Sequence, residues 1–203
     1  VKDAHSSGRN LIIGRLPAYV RILRSWSGHP DTMMFGIGAE FDAAVYTGYH
    51  NRAGAETNPL SHTLTDQIMR ITINGEPASE FTINARTAAR YGVPSVFLSG
   101  DAGMCRAARE FVPGIATVAT SEGIGGATLS IPPAKSAALI REGVERAVAA
   151  RRPGMMPPMP DSYELVIEYN NPKSAYRCQW FPGGELCGER TVRWRCSAPL
   201  AVP

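Results

Sequence analysis

The residues of this sequence best suited to chemistry are its four histidines, His5, His29, His50 and His62. Each lies in or beside a loop signal, and two of them follow apolar, strand-like runs. His50 comes directly after the run AAVYTGY, and His5 follows a short apolar start. Because ligands bind at the carboxyl ends of the strands in an open parallel sheet, we expect both side chains at that edge. Two neutral imidazoles at neighbouring strand ends can bind one metal ion.

A carboxylate completes this candidate metal site. Glu80 stands at the beginning of a helix predicted over residues 79–91, where its side chain would supply an oxygen ligand. Spacing alone leaves another interpretation open, because a lone histidine in a loop is more often solvated or hydrogen-bonded. For His62 that alternative is a histidine at the rim of the site that bonds to the backbone.

The elements that must position these residues alternate along the chain between short apolar runs and helical patterns. Strands are predicted over 43–49, 69–73, 93–99 and 115–119, and helices over 79–91, 100–111 and 133–151. Buried apolar strands too short to be helices, alternating with helices, favour a mainly parallel sheet. We therefore expect an α/β fold with three layers, in which helices flank a mainly parallel sheet.

The composition changes after the longest predicted helix. Residues 153–160 hold four prolines and three methionines, which cannot form regular structure and are typical of a stiff linker. Beyond them, the runs 163–169 and 191–195 alternate as antiparallel strands do. The sequence thus predicts an α/β domain with the candidate metal site over 1–152, a Pro/Met linker over 153–161 and a small C-terminal β-containing unit over 162–203.

The composition also excludes several classes of partner. The 203 residues are 44% hydrophobic and 19% charged, which is enough apolar material for a buried core. The net charge is +3 and the basic residues are scattered, so no stripe is available to follow phosphates. No apolar run approaches the roughly 18 residues of a membrane helix. We expect a soluble, cytoplasmic protein that binds neither nucleic acid nor membranes.

Two weaker signals carry no chemistry of their own. The cysteines, Cys105, Cys178, Cys187 and Cys196, form no CxxC pair, so we expect free thiols rather than a zinc finger or disulfides. The glycine-rich stretch 121–126 lacks the spacing of phosphate-binding motifs and predicts a flexible loop beside the site.

Several short motifs, taken in their order, resemble one enzyme family. They are Val1–Ser6 with Asn10, Gly48–His50 followed by Arg52-Ala53, Ser61-His62, and Asn74–Pro77 with Glu80. This series resembles the zinc-dependent D-aminopeptidases of the bacterial dipeptide-transport operon. Gly100-Asp101, Ser130–Lys135 and the run YELVIEY extend the similarity to about residue 194.

The resemblance implies a homo-oligomeric, two-zinc aminopeptidase that releases N-terminal D-amino acids, D-alanine above all, from short peptides. By similarity, His5 would bind one zinc ion and His50 with Glu80 would bind the other. His62 would be the catalytic histidine rather than a ligand. Zinc would lower the pKa of bound water and polarise the scissile carbonyl, while His62 would relay a proton or stabilise the oxyanion.

One family motif has no counterpart in this sequence. Family members carry Asp-x-Glu on a first strand, within a β-α-β portion that the present sequence lacks, and its aspartate bridges the two metals. We expect the gene to encode this motif some 50 residues before His5, allowing for one β-α-β passage of at least ~30 residues. Without the motif, three ligands remain for two ions, and metal–metal repulsion should limit binding to one zinc ion.

Two other functions therefore stay open. The first is a catalytically inactive binding or scaffold relative without a complete dinuclear zinc site. The second is a mononuclear amidase that uses His5, His50 and Glu80.

Overall fold

The structure is a computed structural model that describes residues 1–197. Its strands are β1 (Ala44–Tyr49), β2 (Ile68–Ile73), β3 (Glu76–Pro77), β4 (Ser95–Asp101), β5 (Ala116–Ile124), β6 (Ala127–Ser130), β7 (Ser162–Tyr169), β8 (Glu185–Gly188) and β9 (Thr191–Ser197). Its helices are α1 (Glu80–Arg90), α2 (Ala102–Phe111), α3 (Pro133–Ala149) and α4 (Pro172–Cys178). In this part of the chain, no helix has the length and apolarity needed to cross a bilayer.

The first sheet contains three of the four strands predicted from the alternating pattern, whereas the fourth, over 69–73, lies in the antiparallel second sheet. The order of the first sheet is β1-β4-β5-β6, with β1, β4 and β5 parallel and β6 antiparallel to β5. Every residue of β4 is buried, because helices pack on this strand and on its neighbours. Phe97 and Leu98 on β4 share one core with Phe81 of α1 and Met104 of α2. The predicted α/β fold, a parallel-rich sheet flanked by helices, is confirmed.

The second sheet is antiparallel and draws on two parts of the chain. Its order is β3-β2-β7-β9-β8, so residues 162–197 supply three strands and residues 68–77 supply the other two. The alternating run YELVIEY forms β7, as predicted, and pairs with β2 on one side and β9 on the other. The predicted C-terminal unit thus completes its sheet with a hairpin from the middle of the chain.

The Pro/Met segment is irregular, as predicted, but it does not lie wholly at the surface. Met155 is 4% exposed and belongs to the core of the first sheet. Its carbonyl accepts a hydrogen bond from the backbone N–H of Ser95, at the start of β4, at 2.8 Å. This part of the linker is therefore packed against the α/β domain. The division into domains at residues 152 and 161 stays a prediction.

The glycine-rich stretch 121–126 differs from the flexible loop expected there. Residues 121–124 continue β5 and pair with β6 in an antiparallel hairpin, with Ser121 opposite Ser130. Gly125 takes a φ of 57° at the turn. Backbone pairing with β6 thus outweighs the low strand propensity of the glycines. The four cysteines are free, in agreement with the prediction.

Candidate metal centre

Two imidazoles and one carboxylate meet at the end of the first sheet. Among residues 1–197, His50, His62 and Glu80 have candidate ligand atoms that all lie within 4.8 Å of one another. The Nε2 atoms of His50 and His62 each lie 3.8 Å from Oε1 of Glu80. The side chains of His50, His62 and Glu80 are 18%, 29% and 11% exposed, respectively, so the cluster is only partly accessible to solvent.

The end of β1 places His50. Tyr49 pairs with Gly100 of the parallel strand β4, so His50 lies at the carboxyl edge, as expected from the sequence. A Cβ on Gly100 would stand 2.0 Å from the carbonyl oxygen of Tyr49, a clash that only glycine avoids. This close approach brings the residue before His50 directly against β4.

Asp101, the last residue of β4, holds the loop that follows His50. Its carboxylate is 2% exposed and accepts hydrogen bonds from the backbone N–H of Asn51 at 2.7 Å and from the side-chain amide of Asn58 at 3.1 Å. It also accepts from the N–H of Met104 at 2.7 Å and so caps α2. One buried carboxylate thereby fixes both the start of a helix and the loop that bears the candidate ligand.

Helix α1 places Glu80 at its first position. Ser79 and Thr82 form a reciprocal capping box, which fixes where the helix begins. The backbone N–H of Leu64 donates to Oε1 of Glu80 at 2.9 Å. Leu64 has a φ of 65°, a conformation that costs energy for a non-glycine residue and is found preferentially at functional sites.

The buried hydroxyl of Thr63 anchors the segment that carries His62. It accepts a hydrogen bond from the N–H of Ala53 at 3.0 Å and donates to the carbonyl of Ala78 at 3.3 Å. Residue 63 is therefore tied both to the loop after β1 and to the residue just before the capping box. Because Thr63 is anchored in this way, the preceding residue, His62, lies beside His50 and Glu80.

Backbone carbonyls set the tautomers of the two histidines. Nδ1 of His50 lies 3.0 Å from the carbonyl oxygen of Asn51, and Nδ1 of His62 lies 2.7 Å from that of Leu60. Because a carbonyl oxygen can only accept, each Nδ1 carries the hydrogen. Each neutral ring then presents the lone pair of Nε2, which is the form that binds a metal or accepts a proton.

The other two histidines stand in different places. His5 lines the same cavity of about 450 Å³ as His50, His62 and Glu80, but it is not part of the three-residue cluster. His29 packs on Phe35 and lies 3.5 Å from the carboxylate of Asp31, away from the cavity wall.

A buried aspartate also orders the loop of His5. Asp3 is 4% exposed and accepts from the backbone N–H groups of Asn10 at 2.6 Å and of Leu11 at 2.8 Å. The pKa of the Asp3 carboxyl is lowered, chiefly by the hydrogen bond from Leu11. The side-chain amide of Asn10 donates to the carbonyl of His5, so the loop is closed around this carboxylate.

The donor set fits zinc. Imidazole nitrogen and carboxylate oxygen are common zinc ligands, and ligand atoms around a tetrahedral zinc ion lie about 3.3 Å apart. The separations of 3.8 Å in the cluster are too long for hydrogen bonds and close to that spacing. Small side-chain movements would let these atoms surround one ion.

Sequence reasoning finds the ligand types but misses the residues that hold them. The pattern Gly100-Asp101 predicts Asp101 as the N-cap of a helix, and this is confirmed. Its bonds to the loop after His50 join residues 43 and 50 positions apart, which leave no local signal. The hydrogen bonds of Thr63 and Leu64 likewise join separate segments of the chain and leave no local signal.

Comparison with known proteins points to one family. The sequence model of a D-aminopeptidase family matches residues 1–202. A protein named D-aminopeptidase from Bacillus subtilis is 30% identical over 204 residues, covering 98% of this chain and 73% of that relative. The solved structure of the Zn-dependent D-aminopeptidase DppA from Bacillus subtilis, described as a self-compartmentalizing protease, superposes with a TM-score of 0.88. That alignment has 28% sequence identity and covers 97% of this chain and 72% of the other.

Proposed function

This chain belongs to the D-aminopeptidase family and is a zinc peptidase, and we propose that it releases N-terminal D-amino acids, of the D-alanine type, from short peptides. The observation that carries the proposal is the convergence of His50, His62 and Glu80 in one cavity, on a fold shared with a zinc-dependent relative. A cavity of about 450 Å³ has the size of a small-ligand site and suits a short peptide.

In this proposal His50 and Glu80 hold one zinc ion, and His5 is a ligand at a second position in the same cavity. The Nε2 lone pair of His50 is available because its Nδ1 hydrogen is bonded to the carbonyl of Asn51. The carboxylate of Glu80 is oriented by the N–H of Leu64. Such outer contacts orient metal ligands and raise their affinity.

His62 would act on protons rather than on the metal. Zinc supplies a Lewis acid that activates water and polarises the scissile carbonyl. Nε2 of His62 is unprotonated in the neutral ring and would take a proton as the water oxygen adds to the carbonyl carbon. The same nitrogen would return that proton to the leaving amine as the C–N bond breaks, so the protonation state of the ring is restored.

We also propose that the subunits assemble into a homo-oligomer, since the structural relative is described as self-compartmentalizing. The cytoplasmic location stays a prediction.

The test is peptide hydrolysis by the chain after complete chelation and reloading with known amounts of zinc. D-Ala-D-Ala should be cleaved and L-Ala-L-Ala should not, and the rate should disappear with the chelator and return with zinc. The metal content at full activity gives the number of ions. Glu80→Gln, which keeps the side-chain volume but loses the charge, should lower both zinc affinity and rate. Zinc binding without any turnover would instead support an inactive binding relative.

A further inference from the structure

The cavity that contains the candidate metal cluster is also lined by apolar side chains. Trp26, Met33 and Leu64 contribute to its wall, together with Ala4. None of the three large side chains is needed to bind zinc or move a proton. They form a surface of a different chemical class beside the cluster, which we call the apolar wall.

Met33 contacts helix α1 at Asn84, about one helical turn beyond Glu80. The side-chain amide of Asn84 donates to Sδ of Met33 at 3.4 Å and to the hydroxyl of Tyr49 at 2.8 Å. Asn84 follows Glu80 by four positions on α1, so the two residues share one face and are separated by about 6 Å along the axis. The sulfur of Met33 is therefore within reach of a substrate whose reacting carbonyl is near Glu80.

Met33 lies in a short 3-10 helix, Thr32–Met34, and the residue before this helix is bonded to the far end of α1. The buried carboxylate of Asp31 accepts hydrogen bonds from the guanidinium of Arg90 at 3.0 Å and from the hydroxyl of Tyr91 at 2.7 Å. Two anchors, at Asp31 and at Asn84, thus hold Met33 against α1. A side chain held in this way can set the size of a binding space.

The two other members of the apolar wall are fixed as well. The indole N–H of Trp26 donates to the carbonyl of Ser6 at 2.8 Å, and Nζ of Lys2 lies 4.4 Å from the centre of its ring. Leu64 is tied to Glu80 through its backbone N–H. The apolar wall is therefore bonded at Trp26 to the loop of His5 and at Leu64 to the carboxylate of Glu80.

We propose that Trp26, Met33 and Leu64 form the subsite for the side chain of the substrate's D-residue, that this subsite selects a small apolar side chain, and that Met33 limits its size. The inference rests on the proposed D-aminopeptidase function. Removing a methylene from a filled apolar pocket, or adding one to it, changes selectivity about 10- to 200-fold. A charged side chain would find no hydrogen-bonding or charged partner in the side chains of Trp26, Met33 and Leu64.

The test compares kcat/KM for D-Ala, D-Leu and D-Lys dipeptides that share the same second residue. The zinc-loaded chain should prefer D-Ala, accept D-Leu poorly and reject D-Lys. Met33→Ala should raise the ratio of kcat/KM for D-Leu over D-Ala about tenfold, and Met33→Leu, which refills the volume, should keep the original ratio. Met159→Ala removes an exposed methionine outside the cavity and should leave the ratio unchanged.

Zinc content, measured on every variant, shows whether the cluster is intact. Leu64→Ala also enlarges this cavity, so the kcat/KM ratio for D-Leu over D-Ala can be measured on it even where Met33→Ala fails to fold. An unchanged ratio in a variant that binds zinc as the original chain does would overturn the subsite while leaving the peptidase function in place. Loss of all D-peptide turnover in the zinc-loaded original chain would overturn both.

Discussion

The imidazole rings of His50 and His62 are stacked, with centroids 4.1 Å apart and an interplanar angle of 26°. Both rings are bonded to backbone carbonyls through Nδ1, and both direct Nε2 toward one oxygen of Glu80. In this geometry the two histidines are nearly equivalent as candidate metal ligands. The family resemblance assigns them different roles, a ligand and a catalytic histidine, so measurements that separate metal binding from turnover decide between them.

Substitution of each histidine should have a different effect on zinc. His50→Ala should remove the zinc ion that His50 and Glu80 hold and abolish turnover, because it removes a ligand of that ion. His62→Ala should retain zinc and lower kcat about 100- to 10,000-fold, as expected for the loss of a general acid–base group. The measurements are zinc content by mass spectrometry and steady-state kinetics. Loss of zinc from His62→Ala would make His62 a ligand and would contradict its assignment as the proton-transfer residue.

Asp101 should be required both for stability and for zinc affinity. Asp101→Ala removes the cap of α2 and leaves the donors of buried Asn51 and half-buried Asn58 without their acceptor. We expect a loss of about 2–4 kcal/mol in the free energy of unfolding and weaker zinc binding, because the loop after His50 is released.

Asn58→Ala is the matched control for Asp101. It removes only one of the three hydrogen bonds to the carboxylate, so its effects on denaturant unfolding and on zinc titration should be smaller. An Asp101→Ala variant that binds zinc as tightly as the original chain would show that Asp101 does not act through the loop of His50.

Gly100 should tolerate no side chain. In Gly100→Ala the new Cβ would stand 2.0 Å from the carbonyl of Tyr49, so β1 must move away from β4 and carry His50 with it. We expect a loss of at least about 1–3 kcal/mol, the usual range for overpacking, together with weaker zinc binding. Gly126→Ala, at a position with open space around it, should change neither quantity. Denaturant unfolding of both variants would settle the comparison, and a stable Gly100→Ala with normal zinc affinity would refute the predicted clash.

The contribution of Asp3 to stability should depend on pH. Hydrogen bonds from Leu11 and Asn10 lower the pKa of this carboxyl below its usual value of 3.8, so folding favours its charged form. The stabilisation is therefore complete above that usual value and is lost as the pH falls through the lower, folded-state pKa. The difference in unfolding free energy between the original chain and Asp3→Asn should be constant from about pH 7 to 5 and shrink below pH 3.8. A difference that does not vary with pH would exclude this account.

The alternation of short apolar strands and helices is enough to predict the three parallel strands of the first sheet, because each of them carries its own signal. The predicted N-cap Asp101 marks the start of a helix locally, and this is confirmed. Helix α4 and strand β8 had no comparable signal. The helix has only seven residues, and all four residues of the strand are exposed at the edge of the second sheet, so neither shows an apolar periodicity.

The glycines near the site show why the remaining contacts cannot be predicted from the sequence. A Cβ on Gly123 would lie 2.5 Å from the carbonyl of Thr57, so this glycine lets the β5–β6 hairpin touch the loop after His50. The local sequence pattern around Gly123 indicates a loop, whereas the structure requires glycine there because two segments far apart in the chain are in contact. The same holds for the apolar wall, whose members Trp26, Met33 and Leu64 come together only through hydrogen bonds to other segments.

The most direct measurement is an anomalous difference map at the zinc absorption edge from crystals of the zinc-loaded chain. We predict a peak within about 2.0–2.2 Å of Nε2 of His50 and of a carboxylate oxygen of Glu80, the bonding distances of zinc to these atoms. That peak should be absent from crystals of His50→Ala grown with the same zinc. Saturated crystals that place zinc elsewhere, or that show no peak beside His50 and Glu80, would contradict the assignment of this cavity as the metal centre.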